Sequence, residues 1–207
     1  MTAERVLYVV RHGMTDWNQS KRMQGHLDPP LNATGRAQAR LVGLRLSREG
    51  AGALYSSDLQ RASETAQYIA RATGLRVVQK ISLREINFGV WQGLSSQEIR
   101  ERDPEVYAAR RANPYDVAPE GAETWRQFYT RALRAVNEVL AATDAQRLIL
   151  VVHSGVCTVL GLRALGLDCT GKRTFDSHNC SIHTLVVVGE RWRVVRFNDV
   201  SHLVSAP

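Results

Sequence analysis

The 207-residue chain is poor in lysine, with only Lys21, Lys80 and Lys172, and poor in cysteine, with Cys157, Cys169 and Cys180. An odd number of cysteines without a CxxC pair supports neither a disulfide framework nor a paired-thiolate metal site, and points to a reducing cytoplasm. HxH and HExxH spacings are missing, so no metal and no cofactor are expected. No apolar stretch approaches a bilayer span, and the run from Val6 to Val10 is too short for a signal-peptide core and has no small-residue cleavage site behind it. Low-complexity segments and solenoid repeats are lacking too. What is present, 44% hydrophobic and 23% charged residues, suits one compact domain over residues 1–207.

The formal charge is +7, and with so few lysines nearly all of the positive charge is arginine, whose planar fork matches phosphate oxygens two at a time. A composition bias accounts for the bulk excess. The information lies in where particular arginines sit.

Strands and helices alternate. Residues 5–10 (RVLYVV) form a buried strand that breaks at Arg11-His12-Gly13, and residues 32–50 carry Ala37, Leu41, Val42 and Leu44 at helical spacing. A second strand covers residues 53–56, and Ser57 with Gln60 resembles a capping box opening a helix to about Thr73, which places Arg61 in its first turn. Residues 75–79 read as a third strand and 81–93 as a loop. Residues 95–112 read as a charged helix, 113–121 as a linker and 123–142 as a longer helix, so that about 94–142 looks like a helical insertion or lid. Residues 147–152 (RLILVV) form another buried strand, breaking at His153-Ser154-Gly155 into a helix, and residues 181–188 with 192–197 read as a hairpin at a sheet edge. The pattern predicts a three-layer α/β/α sandwich with a mostly parallel central sheet.

One short recurrence carries chemistry: VVRHG at residues 9–13 and VVHSG at 151–155. Each buried strand delivers a histidine at its carboxyl end, where open α/β sheets bind ligands. If the two strands are neighbours, His12 and His153 meet, flanked by Arg11 and Arg61. Two guanidinium groups can neutralise the oxygens of a phosphoryl dianion while a neutral imidazole attacks phosphorus. Displacing an alkoxide also needs a proton donor, and Glu85, in the loop after the third strand, is the candidate if desolvation outweighs the nearby cations.

These residues resemble the histidine phosphatase superfamily, also called the phosphoglycerate-mutase-like family, over essentially the whole chain. The matching segments are Arg11-His12-Gly13-Met14-Thr15-Asp16-Trp17-Asn18, Arg22-Met23-Gln24-Gly25, Ser56-Ser57-Asp58-Leu59-Gln60-Arg61-Ala62, Leu83-Arg84-Glu85, Pro119 to Thr124, His153-Ser154-Gly155 and Asn198 to Leu203. The resemblance implies a phosphoglycerate-mutase-like fold, His12 as the phosphorylated nucleophile, Arg11, Arg61 and His153 as phosphoryl ligands, and Glu85 as general acid. It adds Asn18, Gln24, Gly25 and Ser154 as phosphate or substrate contacts. Glu123 is either a second acid or a carboxylate favoured by a helix N-terminus.

The activity this implies is a cofactor-independent phosphatase acting on small phosphorylated metabolites. A phosphoglycerate mutase using the same phosphohistidine is the main alternative, and an inactive basic binding protein on the same fold is a second. Mutases of the family resemble one another in a longer chain and an HYG segment after the acid loop, where this chain has Asn87-Phe88-Gly89, which favours the phosphatase. Val156-Cys157-Thr158 stands where many relatives carry arginine, and Val90 and Gln92 replace acidic residues, so the substrate stays open among phosphoglycerate, glucosyl-3-phosphoglycerate, α-ribazole phosphate and broad specificity. Nucleic acid and membrane are not expected partners; a second copy of the chain is admitted. Trp17 and Trp91 are candidate pocket residues beside a core Trp125, His26, His178, His183 and His202 are read as structural, and Arg100, Arg102, Arg110 and Arg111 as a solvated helix face.

Overall fold

A computed structural model describes residues 3–171 and 175–203. Six strands form one sheet in the order β3-β2-β4-β1-β5-β6, comprising β1 (Arg5–Arg11), β2 (Ala53–Ser57), β3 (Val77–Lys80), β4 (Arg147–Val152), β5 (Ile182–Val188) and β6 (Arg191–Asp199). The first four run parallel, and β5 and β6 add an antiparallel edge, as the hairpin pattern predicts. β1 and β4 are neighbours, paired from Val6 with Arg147 to Arg11 with Val152. The two histidine-bearing strand ends therefore finish side by side.

Strand side chains alternate between two cores, as the pleat requires. Leu7, Val9, Leu148, Leu150 and Val152 face α6 (Trp125–Ala141) and α7 (Ser154–Ala164), while Tyr8, Val10, Ile149 and Val151 face α2 (Ala33–Leu46) and α3 (Gln60–Thr73). Both faces are covered by helices, which gives the three layers. Among the described residues no helix is long and apolar enough to cross a membrane.

Several local readings are corrected. The buried face of α2 is Gly35, Ala39, Val42, Gly43 and Leu46, while Leu41 and Leu44 face outward. Small residues win that face because α3 packs close: a Cβ on Gly43 would stand 2.9 Å from the Tyr68 carbonyl oxygen. The N-terminus of α3 has no capping box; Leu59 is its N-cap, and the Asp28 carboxylate, from a distant loop, accepts the Gln60 N–H at 2.8 Å. A one-turn helix, α1 (Asp16–Gln19), stands in what reads as a loop.

The 94–142 segment is not one insertion. Its first half breaks at Asp103-Pro104 into α4 (Ser96–Arg102) and α5 (Pro104–Ala112), because proline cannot supply the N–H that a continuous helix needs. Its second half, α6, buries Phe128, Ala132, Ala135, Val136 and Val139 in the main core and so is part of a sandwich layer rather than a lid.

Candidate active site

His12 follows the last residue of β1, and its backbone N–H extends the ladder by donating to the Val152 carbonyl at 2.9 Å. Its ring lies 5.2 Å, centroid to centroid, from that of His153, the residue that caps α7 after β4. Both are buried. His12 Nδ1 lies 2.8 Å from the Gly13 carbonyl oxygen, which only accepts, so Nδ1 carries the proton and Nε2 keeps its lone pair. Burial, then the positive charges of Arg61 and Arg11, hold the His12 ring well below the ordinary histidine range, and therefore neutral. His153 is held down by burial first and then by Arg61, His12 and Arg11.

Arg61, in the first turn of α3, is fully buried. Its guanidinium donates to the carbonyls of Leu27 at 2.8 Å and Gly25 at 2.7 Å and lies 3.6 Å from Asp28, so one loop both caps α3 and clamps its arginine. Burial pushes the guanidinium down to about 10 against the pull of Glu85 and Asp28, leaving it charged at neutral pH. Arg11 is anchored through a hydrogen bond to the Ser177 carbonyl. Among the described residues, Arg61 Nε and both ring nitrogens of His153 are buried without a hydrogen-bond partner. Orphaned polar atoms of that kind cost free energy unless water or a ligand satisfies them.

These groups face a cavity of about 340 Å³ whose wall includes Arg11, His12, Asn18, Gln24, Gly25, Arg61, Glu85, Ser154 and Gly155. Asn18, on the wall, is held in place through Oδ1, which accepts from the Thr15 N–H and hydroxyl and from Asn179 Nδ2, each at 3.1 Å. The Gly25 carbonyl accepts from Arg61, and Gln24 is a buried wall residue. Glu85 sits at the N-terminus of α7: its Oε2 accepts the Gly155 N–H at 3.0 Å and its Oε1 the Ile86 N–H at 3.0 Å. Only glycine permits this at residue 155, where a Cβ would stand 2.2 Å from Glu85 Oε1.

Glu123 is not on the wall. Half-burial pushes its carboxyl up, but the Arg131 guanidinium, bonded to both oxygens at 2.7 Å, and the Asn87 N–H outweigh this and hold it below the usual carboxylate range. That makes it a strut for the acid loop. Trp125 lines the cavity, whereas Trp17 does not and Trp91 is buried with its indole N–H on Asp103. His26, His178, His183 and His202 all hydrogen-bond within the protein. Arg100, Arg102, Arg110 and Arg111 are absent from the wall. Asn179, which ties the His12 carbonyl to Asn18, has no sequence signal, since it lies in an aperiodic polar run.

A sheet delivering two neutral imidazoles beside two arginines, with a carboxyl across the cavity, defines a phosphoryl-transfer enzyme. The comparisons give the class its name: the chain belongs to the histidine phosphatase superfamily (branch 1), whose model matches residues 7–200. It is 39% identical over 95% of its length to phosphoglycerate mutase-like protein 4 of Arabidopsis thaliana, covering 86% of that protein. A metal-independent phosphoserine phosphatase of the same plant is 34% identical over 96% of the chain and 83% of its own length. Among solved structures, a mycobacterial glucosyl-3-phosphoglycerate phosphatase in complex with VO3 superposes with a TM-score of 0.81 at 32% identity, covering 94% of this chain and 99% of that one.

Proposed function

We propose that the protein hydrolyses small phosphomonoesters, with His12 Nε2 as the nucleophile. The observation that carries this reading is the placement of His12: a buried ring with Nδ1 2.8 Å from the Gly13 carbonyl oxygen, which leaves Nε2 to attack beside Arg61. In the first step an N–P bond forms as the ester O–P bond breaks, while Arg11 and Arg61 neutralise the phosphoryl oxygens, His153 donates a hydrogen bond to one of them, and the Glu85 carboxyl gives its proton to the leaving alkoxide. In the second, Glu85 takes a proton from water as the water oxygen bonds phosphorus and the N–P bond breaks. Asn18 and the Ser154 side of α7 position the anion.

His12→Ala is expected to abolish phosphate release from every substrate and to abolish acid-labile labelling of the protein by substrate phosphate. Residual labelling in that variant would move the nucleophile elsewhere. The similarity to a phosphoglycerate mutase-like protein supports a second reading, in which the same phosphohistidine returns its group to another hydroxyl of the substrate. Free phosphate as the product, rather than an isomer, separates the two.

A further inference from the structure

Gly13 joins the nucleophile to the loop that leaves it, and both of its peptide units are held at each end. In the unit between His12 and Gly13, the carbonyl accepts from Asn179 Nδ2 at 3.0 Å and the N–H donates to Thr65 Oγ1 at 3.0 Å. Thr65 gives its own proton to the Arg61 carbonyl at 2.7 Å, which turns its oxygen toward Gly13. In the unit between Gly13 and Met14, the carbonyl oxygen lies 2.8 Å from His12 Nδ1 and the N–H donates to Gln38 Oε1 at 3.0 Å. Neither Gln38 nor Thr65 lies on the cavity wall.

The second unit connects Gln38 to the reacting ring. A peptide whose N–H is bonded is more polarised and its carbonyl accepts more strongly, so successive hydrogen bonds in a chain reinforce one another. The order here is Gln38 Oε1, Met14 N–H, Gly13 carbonyl and His12 Nδ1, with Nε2 on the far side of the ring. The start of α2 is shaped to supply this chain. Asn32, its N-cap, donates its N–H to the Met14 carbonyl at 3.0 Å and accepts the Gly35 N–H at 2.9 Å, so α2 grips Met14 through both of its backbone groups. Gly35 and Gln38 share a helix face, and the loop backbone lies directly against it. A Cβ on Gly35 would stand 2.1 Å from the Met14 carbonyl oxygen, and one on Gly13 would stand 2.6 Å from the Gly35 carbonyl oxygen. A methyl group at either glycine would therefore push the Met14 N–H away from Gln38.

Resting on the phosphatase reading, we propose that Gln38 is a positioning residue for phosphoryl transfer, acting through the peptide between Gly13 and Met14 to hold the His12 ring and keep Nε2 aimed at phosphorus. Gln38→Leu removes the acceptor at nearly constant size, and Gln38→Glu restores one. In Gln38→Leu the single-turnover rate of His12 phosphorylation is expected to fall about tenfold, because small misplacements of a reacting atom are costly. The inhibition constant of inorganic phosphate, set mainly by the two arginines, is expected to stay within about twofold. Gln38→Glu should recover most of the rate. The NMR resonance of the His12 Nδ1 proton, identified by its loss in His12→Ala, is expected to move upfield in Gln38→Leu as the bond to Gly13 weakens.

The proposal requires both changes: an unmoved resonance or an undiminished phosphorylation rate in Gln38→Leu overturns it. So does a loss of rate matched by an equal loss of phosphate affinity, the mark of a site loosened as a whole. Should Gln38→Leu melt early, the same measurements made well below its transition, with Gln38→Glu beside it, decide in the same way. A wild-type protein that takes no acid-labile label from substrate sinks the phosphatase reading and this proposal together, whereas a labelled wild type with an unaffected Gln38→Leu sinks the proposal alone.

Discussion

At the scale of single residues, the division of labour between His12 and Glu85 separates by leaving group. Only a poor leaving group needs a proton as its bond to phosphorus breaks, so Glu85→Gln is expected to slow alkyl phosphates by about 10²- to 10⁴-fold, the usual range for a general acid, while sparing an aryl phosphate with a stable phenolate. Steady-state kinetics on the two classes check this; equal losses on both would reassign Glu85 to structure, where its bond to the Gly155 N–H already gives it a place. His12, His153 and the two arginines were legible because each stands at a strand end or helix start, which short-range pattern detects: VVRHG, VVHSG and the opening of α3. Asn179, Asp28 and Trp125 were not. Their roles depend on contacts with residues far along the chain, such as Asn179 with the His12 carbonyl, and no local period marks them.

At the scale of elements, α6 is where packing and chemistry join. Arg131 leaves its buried stripe to bond Glu123 and the carbonyls of Ser82, Arg84 and Glu85, so one helix fixes the height of the acid loop above the nucleophile. Arg131→Met removes these bonds and strands Glu123 half-buried. The expected cost is about 2 kcal/mol, hence a melting temperature lower by about 4–8 °C for a chain of this size, with alkyl phosphate turnover falling more than aryl. Thermal unfolding and the paired kinetics report the two effects independently, and equal kinetic losses would limit Arg131 to stability. Strand and helix order was readable from periodicity because buried β-branched runs and glycine stops are strong signals. The face of α2 and the cap of α3 were not, since a small-residue seam looks like any polar helix and the cap arrives from Asp28, 32 positions away.

At the scale of the whole molecule, several histidines are buried without charge, and stability must respond to pH. Burial, then Arg11, push His183 down to about 3, and burial holds His12 and His153 well below 6.5. The unfolded chain protonates these rings near pH 6.5 and the folded one does not, so stability is full above that value and declines as pH falls below it. Each ring contributes about 1.4 kcal/mol per pH unit in that window, so the three together give a slope of about 4 kcal/mol per unit. Denaturant unfolding between pH 7.5 and 5 measures it, and a flat profile would show that the rings accept protons in place. The same sheet has another consequence. His12 and His153 are carried on β1 and β4, which are locked by six register pairs and by the His12 N–H, whereas Met23, Arg22, Phe88 and Trp125 stand on segments outside that ladder. Reorganisation entropy at the nucleophile is therefore removed when the chain folds, not when substrate arrives. Substitutions on the outer segments can then retune the choice of alcohol while the attacking nitrogen keeps its place, so that selection can explore substrates without having to rebuild the reaction.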